Sequence, residues 1–241
     1  MGKKMSVSTA FNNENQRSLM PKRLLENKNL NLHYESLFHD KPVCVNYGAL
    51  IVNYLEGLEN TINLQLNQYS KVFAVRVDLF FPVEWSDEQR VSHDYFSQFM
   101  DSLKAKLRAF NHRKQLAGDG RSNRVRFCRV IEYGENGRGV HIHAVLLFNG
   151  HVFRSLGCYN EGRENLYQRI LGAWASALSL MHSDVRYRGL VNFSNGGYLL
   201  DRSSSGFAAS IDQSFFDFSY LCKVYTKHFY FPIKVFSKSR R

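Results

Sequence analysis

The chain has 241 residues, 44% of them apolar, with 32 Lys and Arg against 21 Asp and Glu and a formal net charge of +11; this allows one domain with an extension, or two small ones, around a real core. The basic excess favours a polyanionic partner, since phosphate backbones attract Lys and Arg through counterion release whatever their sequence, although simple solubility is the alternative. Cys44, Cys128, Cys158 and Cys222 show no metal-like spacing or disulfide framework, no apolar run reaches membrane-span length, and no hydrophobic signal core opens the chain, so the expected setting is a reducing cytoplasm with no membrane partner.

Residues 1–45 read as a polar, basic, Asn-rich arm. Within 46–70, Ile51, Leu55, Leu58, Ile62 and Leu66 recur near helical spacing and predict a bracing helix. Lys71 to Phe81 is rich in Val and Phe and stops at Pro82, which predicts a strand. Ser86 and Gln89 form a capping box for a helix whose face is Val91, Tyr95, Phe99, Leu103 and Leu107. Val125–Tyr133 and Val140–Phe148 are two strands joined by a turn-rich connection between Gly134 and Gly139. A helix from about Glu164 to Met181 presents Leu166, Ile170, Trp174, Ala177, Leu178 and Met181, and residues 188–201 give a fourth strand or a hairpin. A last helix is expected from near Asp212, with Ser210 and Gln213 as its cap, to near Lys227, ahead of a basic tail over 233–241. The order β-α-β-β-α-β places residues 71–232 in an α+β, ferredoxin-like antiparallel sheet with helices on one face and the other face open to a ligand, plus an N-terminal helical extension.

His141-Ile-His143 is the sharpest local signal. Alternate residues of a strand share a face, so two imidazoles about 7 Å apart can converge on one cation. With the hairpin centred between Asn136 and Gly137, Glu132 falls directly opposite His141. Two histidines and a carboxylate leave open positions for water or phosphate and suit Mn²⁺ or Mg²⁺. The alternative is a surface histidine pair with Glu132 as a hydrogen-bond partner.

On the last predicted helix Phe216, Tyr220, Lys223 and Lys227 share one stripe, while Phe218, Leu221, Cys222, Tyr225 and Phe229 share the other. Tyr220 is then expected among ammonium groups, which favour a phenolate, and Tyr225 in the core. A plain amphipathic helix with a solvated lysine face is the competing reading.

Taken together, Arg76-Val-Asp78-Leu-Phe-Phe-Pro82, Glu132, His141-Ile-His143, the Trp174 helix, Gly189-Leu-Val-Asn192 and Ser219-Tyr220-Leu-Cys-Lys223 with Thr226-Lys227 resemble the inovirus (filamentous-phage) gene-two-type replication proteins. These are also called the YagK/YfjJ C-terminal family and are often found in prophages. More broadly, the set is similar to the HUH endonuclease (Rep) class, over residues 70 to 232. The resemblance implies a rolling-circle initiator that nicks and rejoins single-stranded origin DNA. It implies a divalent ion on His141, His143 and Glu132, Tyr220 as nucleophile with Lys223 as its partner, and a less defined role for Asp78. Lys227, Arg121, Arg124, Arg126 and Arg129 are candidate DNA contacts, and a host helicase and polymerase are further implied partners. A non-catalytic nucleic-acid-binding protein or a prophage regulator on the same fold stays open.

Overall fold

A computed structural model describes residues 20–134, 139–159, 164–180, 189–229 and 234–240. The first part of the arm, the centre of the hairpin turn, Met181 at the end of its expected helix and the first and last residues of the tail lie outside the described residues.

Two short antiparallel pairs come first, β1 (Leu32–His33) with β4 (Leu50–Ile51) and β2 (Leu37–Phe38) with β3 (Lys41–Pro42). Then follow α1 (Val52–Gln68), β5 (Lys71–Leu79), α2 (Asp87–Val91), α3 (Tyr95–Leu116), β6 (Arg126–Gly134) and β7 (Gly139–Asn149). The chain continues with α4 (Leu166–Ala177), β8 (Val191–Phe193), β9 (Tyr198–Asp201), α5 (Phe207–Ser219), a 3₁₀ turn over Tyr220–Cys222, and β10 (Phe236–Lys238). The protein is therefore α+β, built on an antiparallel sheet of six strands in the order β10-β6-β7-β5-β8, with β9 also paired to β5.

Residues 188–201, expected as a fourth strand or a hairpin, supply one interrupted edge strand. Val191–Phe193 pairs with Leu79–Val77 and Tyr198–Asp201 with Ala74–Lys71, so β8 and β9 run along the same edge of β5. Gly197 in the interruption has φ 84°, and a Cβ there would lie 2.6 Å from the Phe73 ring. Only glycine permits both that backbone and that approach.

One face of the sheet is apolar apart from Arg129, which lies opposite Ala144 with its guanidinium over the Phe96 ring. Phe73, Val75, Val77, Ile142, Ala144, Leu146 and Phe148 pack against Phe99 and Leu103 of α3 and Ile170 and Trp174 of α4. Each Val, Leu, Ile or Phe among them contributes about 1.5–3 kcal/mol by leaving water, and Trp174 Nε1 finds its partner in the Phe80 carbonyl at 2.8 Å. The second face is not open. Val72, Ala74, Cys128, Val130, Val145 and Leu147 lie in one cluster with Leu55, Leu58, Ile62 and Leu66 of α1 and Phe215 and Phe218 of α5. The expectation of helices on one face is corrected, and β7 shows why. Its run Ala144–Phe148 is apolar at both parities, and a strand of that kind needs cover on both sides.

Two helix boundaries also move. The Ser86–Gln89 capping box forms, but it opens only α2. Asp94 then caps α3 afresh, accepting from Ser97 N at 3.1 Å, because a short acceptor side chain favours a cap over a helix interior. The last helix begins at Phe207 after Gly206, not near Asp212, and ends at Ser219. Ser219 Oγ there donates to the Phe216 carbonyl and accepts from Cys44 N at 2.8 Å. Lys223 to Lys227 thus lies beyond the helix, and Tyr225 is 48% exposed rather than in the core.

Candidate active site

Past Ala74, Val130 and Val145 the second face changes from apolar to ionisable. The next residues of the same parity are Arg76 and Asp78 on β5, Glu132 on β6, and His143 and His141 on β7. The register is the one the hairpin symmetry predicts, with Glu132 opposite His141, and Asp78 lies opposite His143 across the other edge of β7. All but Arg76 are at most 7% exposed.

The hydrogen bonds fix the histidine tautomers. His143 Nδ1 lies 2.5 Å from Asp78 Oδ1, and His141 Nδ1 lies 3.1 Å from the Gly139 carbonyl oxygen. Both oxygens only accept, so both Nδ1 atoms carry the proton. The two Nε2 atoms, 3.1 Å apart, then present lone pairs to each other. Such a pair is unfavourable unless a cation or proton lies between them, and a carboxylate behind one imidazole is a usual support for a metal-bound histidine. One ligand atom from each of Glu132, His141 and His143 lies within 4.8 Å of the others. These residues fit a divalent cation.

Arg76 steadies this arrangement through Nε and Nη2 contacts of 3.0 and 3.2 Å with the two oxygens of Asp78. Burial alone would raise the Asp78 carboxyl, but the His143 contact and the Arg76 charge outweigh it and bring it down to about 2. Burial, reinforced by His143, pushes His141 down to about 4, so the imidazole is neutral and ligand-competent at pH 7.

Glu132 is enclosed by the segment after the 3₁₀ turn. Val224 N donates to Ala49 O and Tyr133 N to Thr226 O, both at 2.9 Å, which pins the segment between the residue before β4 and the end of β6. Thr226, at φ 71°, donates to Glu132 Oε2 at 2.7 Å, Lys227 Nζ reaches Oε1 at 2.9 Å, and Lys223 forms a direct ion pair with Oε2. Burial opposes ionisation of Glu132. The Lys227 ammonium, His143 and Lys223 overcome that and hold its carboxyl well below the usual range. A carboxylate offers about four lone-pair positions, so one remains for a further ligand.

Tyr220 lies over this cluster. Its ring centroid is 5.6 Å from that of His143, 3.5 Å from Lys223 Nζ and 4.2 Å from Arg76 Cζ, with Tyr47 edge-on at 5.2 Å. A cavity of about 410 Å³, lined in part by Tyr220, Arg76, Tyr47, Asn46 and Ser194, opens beside it. The expectation of a lowered phenol is corrected. Burial, then the Glu132 charge, raise it, with Arg76 opposing, so the resting form is the neutral phenol.

The fold therefore gathers Tyr220, Lys223, Lys227, Glu132, His141, His143 and Asp78 into one cluster. Lys227, read as a DNA contact, is instead enclosed against Glu132 with its side chain 0% exposed, and Asp78 orients His143. Arg121, Arg124 and Arg126 lie elsewhere. Glu132 and Arg126 are six residues apart on one strand, about 20 Å. Arg121 pairs with Asp119 and donates to the His151 carbonyl, whereas buried Arg126 donates to Gln65 and Gln68. Arg129 is likewise buried and donates to Lys234 O at 2.6 Å. Sequence reasoning missed Arg76, Thr226 and Tyr47 as site residues. The signal for Arg76 was available, since it shares strand parity with Asp78.

The family model described as the YagK/YfjJ C-terminal domain matches residues 33–239, so the match takes in α1 and the later part of the arm. Two proteins of Escherichia coli (strain K12) are similar to this chain. "Uncharacterized protein YfjJ" is 32% identical over 192 residues, 75% of this chain and 90% of that protein. "Uncharacterized protein YagK" is 33% identical over 195 residues, 76% of this chain and 90% of that protein. No solved structure matches.

Proposed function

Because this chain belongs to the YagK/YfjJ C-terminal domain family, whose two similar proteins carry no activity in their names, its function is read from the site, and we propose a metal-assisted endonuclease that nicks single-stranded DNA through Tyr220. The observation that carries this reading is the convergence of two Nε2 lone pairs beside Glu132, beneath a phenol flanked by Lys223 and Arg76. A module that only bound DNA would have no use for that combination.

Mn²⁺ or Mg²⁺ held by His141, His143 and Glu132 would polarise a phosphoryl oxygen of the substrate. The protein's own groups do the rest. Asp78 keeps the His143 lone pair aimed inward, and Lys223 with Thr226 and Lys227 fixes Glu132. Tyr220 Oη forms a bond to phosphorus as the bond from phosphorus to the 3′ oxygen breaks. The proton lost by the phenol balances the one gained by that oxygen. The products are a 5′-phosphotyrosine and a free 3′-OH, and reversal rejoins the strand. Lys223 and Arg76 offset charge that develops on the phosphate. On this reading the strand order β6-β7-β5-β8 is a ferredoxin-like HUH arrangement. The released 3′-OH then primes rolling-circle replication of the inovirus type, with origin DNA as substrate and a host helicase and polymerase following.

One observation favours a second reading. The ion pairs of Glu132 with Lys223 and Lys227 account for its burial without any metal, as in a non-catalytic nucleic-acid-binding or prophage regulatory protein. Labelled single-stranded DNA spanning the intergenic region beside the gene separates the two. The nuclease gives a Mn²⁺-dependent, denaturation-resistant protein–DNA band that Tyr220→Phe abolishes. Retention on a native gel with no covalent band under any divalent metal supports the second reading.

A further inference from the structure

At the far end of β6 from His141 and Glu132 the molecule has a second cavity, of about 510 Å³. Its cationic lining comes from Lys104 and Arg108 on α3, Arg124 and Arg126 at the start of β6, and Lys238 and Arg240 at the C-terminal strand. No carboxylate is among the described residues that line it. Lys104 has Asp101 at 3.9 Å on its own helix, a loose exposed contact worth little.

These charges are held together by the fold. Ser239 N donates to Phe127 O and Phe127 N to Ser239 Oγ, each at 2.9 Å, which extends the β10 pairing and sets Lys238 and Arg240 beside the start of β6. Arg126, fixed by Gln65 and Gln68, is buried beside Arg124, and burial together with that neighbouring charge depresses its guanidinium. Two buried donors of the lining, Arg126 Nε and Asn123 Nδ2, have no hydrogen-bond partner among the described residues. Gathering like charges along one groove costs stability in the free protein, and a polyanion bound along it would offset their mutual repulsion.

We propose that this groove binds the phosphodiester backbone of a nucleic acid, as an anchoring surface separate from the tyrosine site. The apolar lining residues Leu107 and Val125 are buried, so the groove is edged chiefly by long cationic side chains, whose charged ends favour a phosphate over a lipid tail or an apolar peptide. Half-buried Phe127 is the one aromatic in the lining. The inference rests on charge and geometry alone and does not depend on Tyr220 being a nucleophile.

The test uses the full chain with divalent metal chelated, so that binding is read without cleavage. Labelled single-stranded and duplex DNA of one arbitrary sequence are titrated over a series of salt concentrations. The variant Lys104→Ala/Arg108→Ala/Arg240→Ala alters exposed side chains only. A control, Lys22→Ala/Arg154→Ala/Arg202→Ala, removes the same charge elsewhere. The proposal expects the groove variant to lose at least tenfold in affinity and the control under threefold. It also expects the slope of log K against log salt to fall by about 0.9 per lost contact for duplex, or about 0.7 for single strand. Whichever DNA shows the larger loss is the one the groove holds. Equal losses in the two variants would mean diffuse attraction by net charge, and no loss in either would mean no binding there; both outcomes overturn the proposal. Neither bears on the covalent band assigned to Tyr220, which has its own assay.

Discussion

Val72, Ala74, Val130, Val145 and Leu147 meet α1 and α5 largely through apolar surface, whereas a step further along the same three strands Arg76, Asp78, Glu132, His141 and His143 meet one another and the 220–227 segment through charge. The two halves share strands, register and depth, yet they respond differently to change. Apolar contact is non-directional and tolerates small shifts, losing stability in proportion to the volume removed. The ionisable half is held by mutual charge pairing, with the facing Nε2 atoms of His141 and His143 left for a proton or a cation. Removing one member exposes the desolvation cost of the rest.

Glu132→Gln is the sharpest way to break that contrast. It leaves the Lys223 and Lys227 ammoniums buried without a counter-charge, and urea denaturation should show a loss of about 3–5 kcal/mol. Replacing all three together with Leu and two Met should recover most of it, since a buried ion set can be exchanged for apolar packing. In the apolar half, Leu147→Ala should cost about 2–5 kcal/mol while adduct formation per folded molecule stays unchanged. A comparable loss of chemistry would show that the halves are not separable.

Acid distinguishes them more gently. His141 is held at about 4 in the folded chain, against about 6.5 when unfolded. The unfolded chain therefore takes up the proton first, and acidification favours unfolding. With metal chelated, stability should be full above about pH 6.5 and decline by at most about 1.4 kcal/mol per unit down to about pH 4. His141→Asn should flatten that segment of a stability–pH profile, and an unchanged profile would count against a neutral, buried imidazole. The smallest effect is expected of Tyr225→Phe. Its ring is half exposed, so thermal stability should move by no more than about 0.5 kcal/mol and the adduct yield should not change.

The part of the site carried by strands was legible in the sequence, because strand parity and hairpin symmetry are local rules. They place His141, His143 and Glu132 together without knowledge of the rest of the fold. The part carried by the segment after α5 was reached by a different physical route. A continuous helix predicts Tyr220, Lys223 and Lys227 on one stripe, but the helix stops at Ser219, and it is the turn and the loop that bring the lysines to Glu132. At the stop Ser219 Oγ accepts from Cys44 N, 175 residues away in sequence, and no local pattern reports such a contact. The cover on the second sheet face was hidden for the same reason, although the unbroken apolar run of β7 hinted at it. Charge alone offers the arginines at and before β6 as DNA contacts; strand length separates Arg126 from the tyrosine site, and strand parity puts Arg129 on the other face of the sheet.

The most direct test is to map the covalent product. After incubation of the wild-type protein with single-stranded DNA and Mn²⁺, nuclease trimming and proteolysis, mass spectrometry of the peptide spanning Ser219 to Lys223 should show a nucleotide 5′-phosphate on Tyr220. DNA bound and cut with no nucleotide on that peptide, or with the nucleotide on Tyr225, would contradict the account.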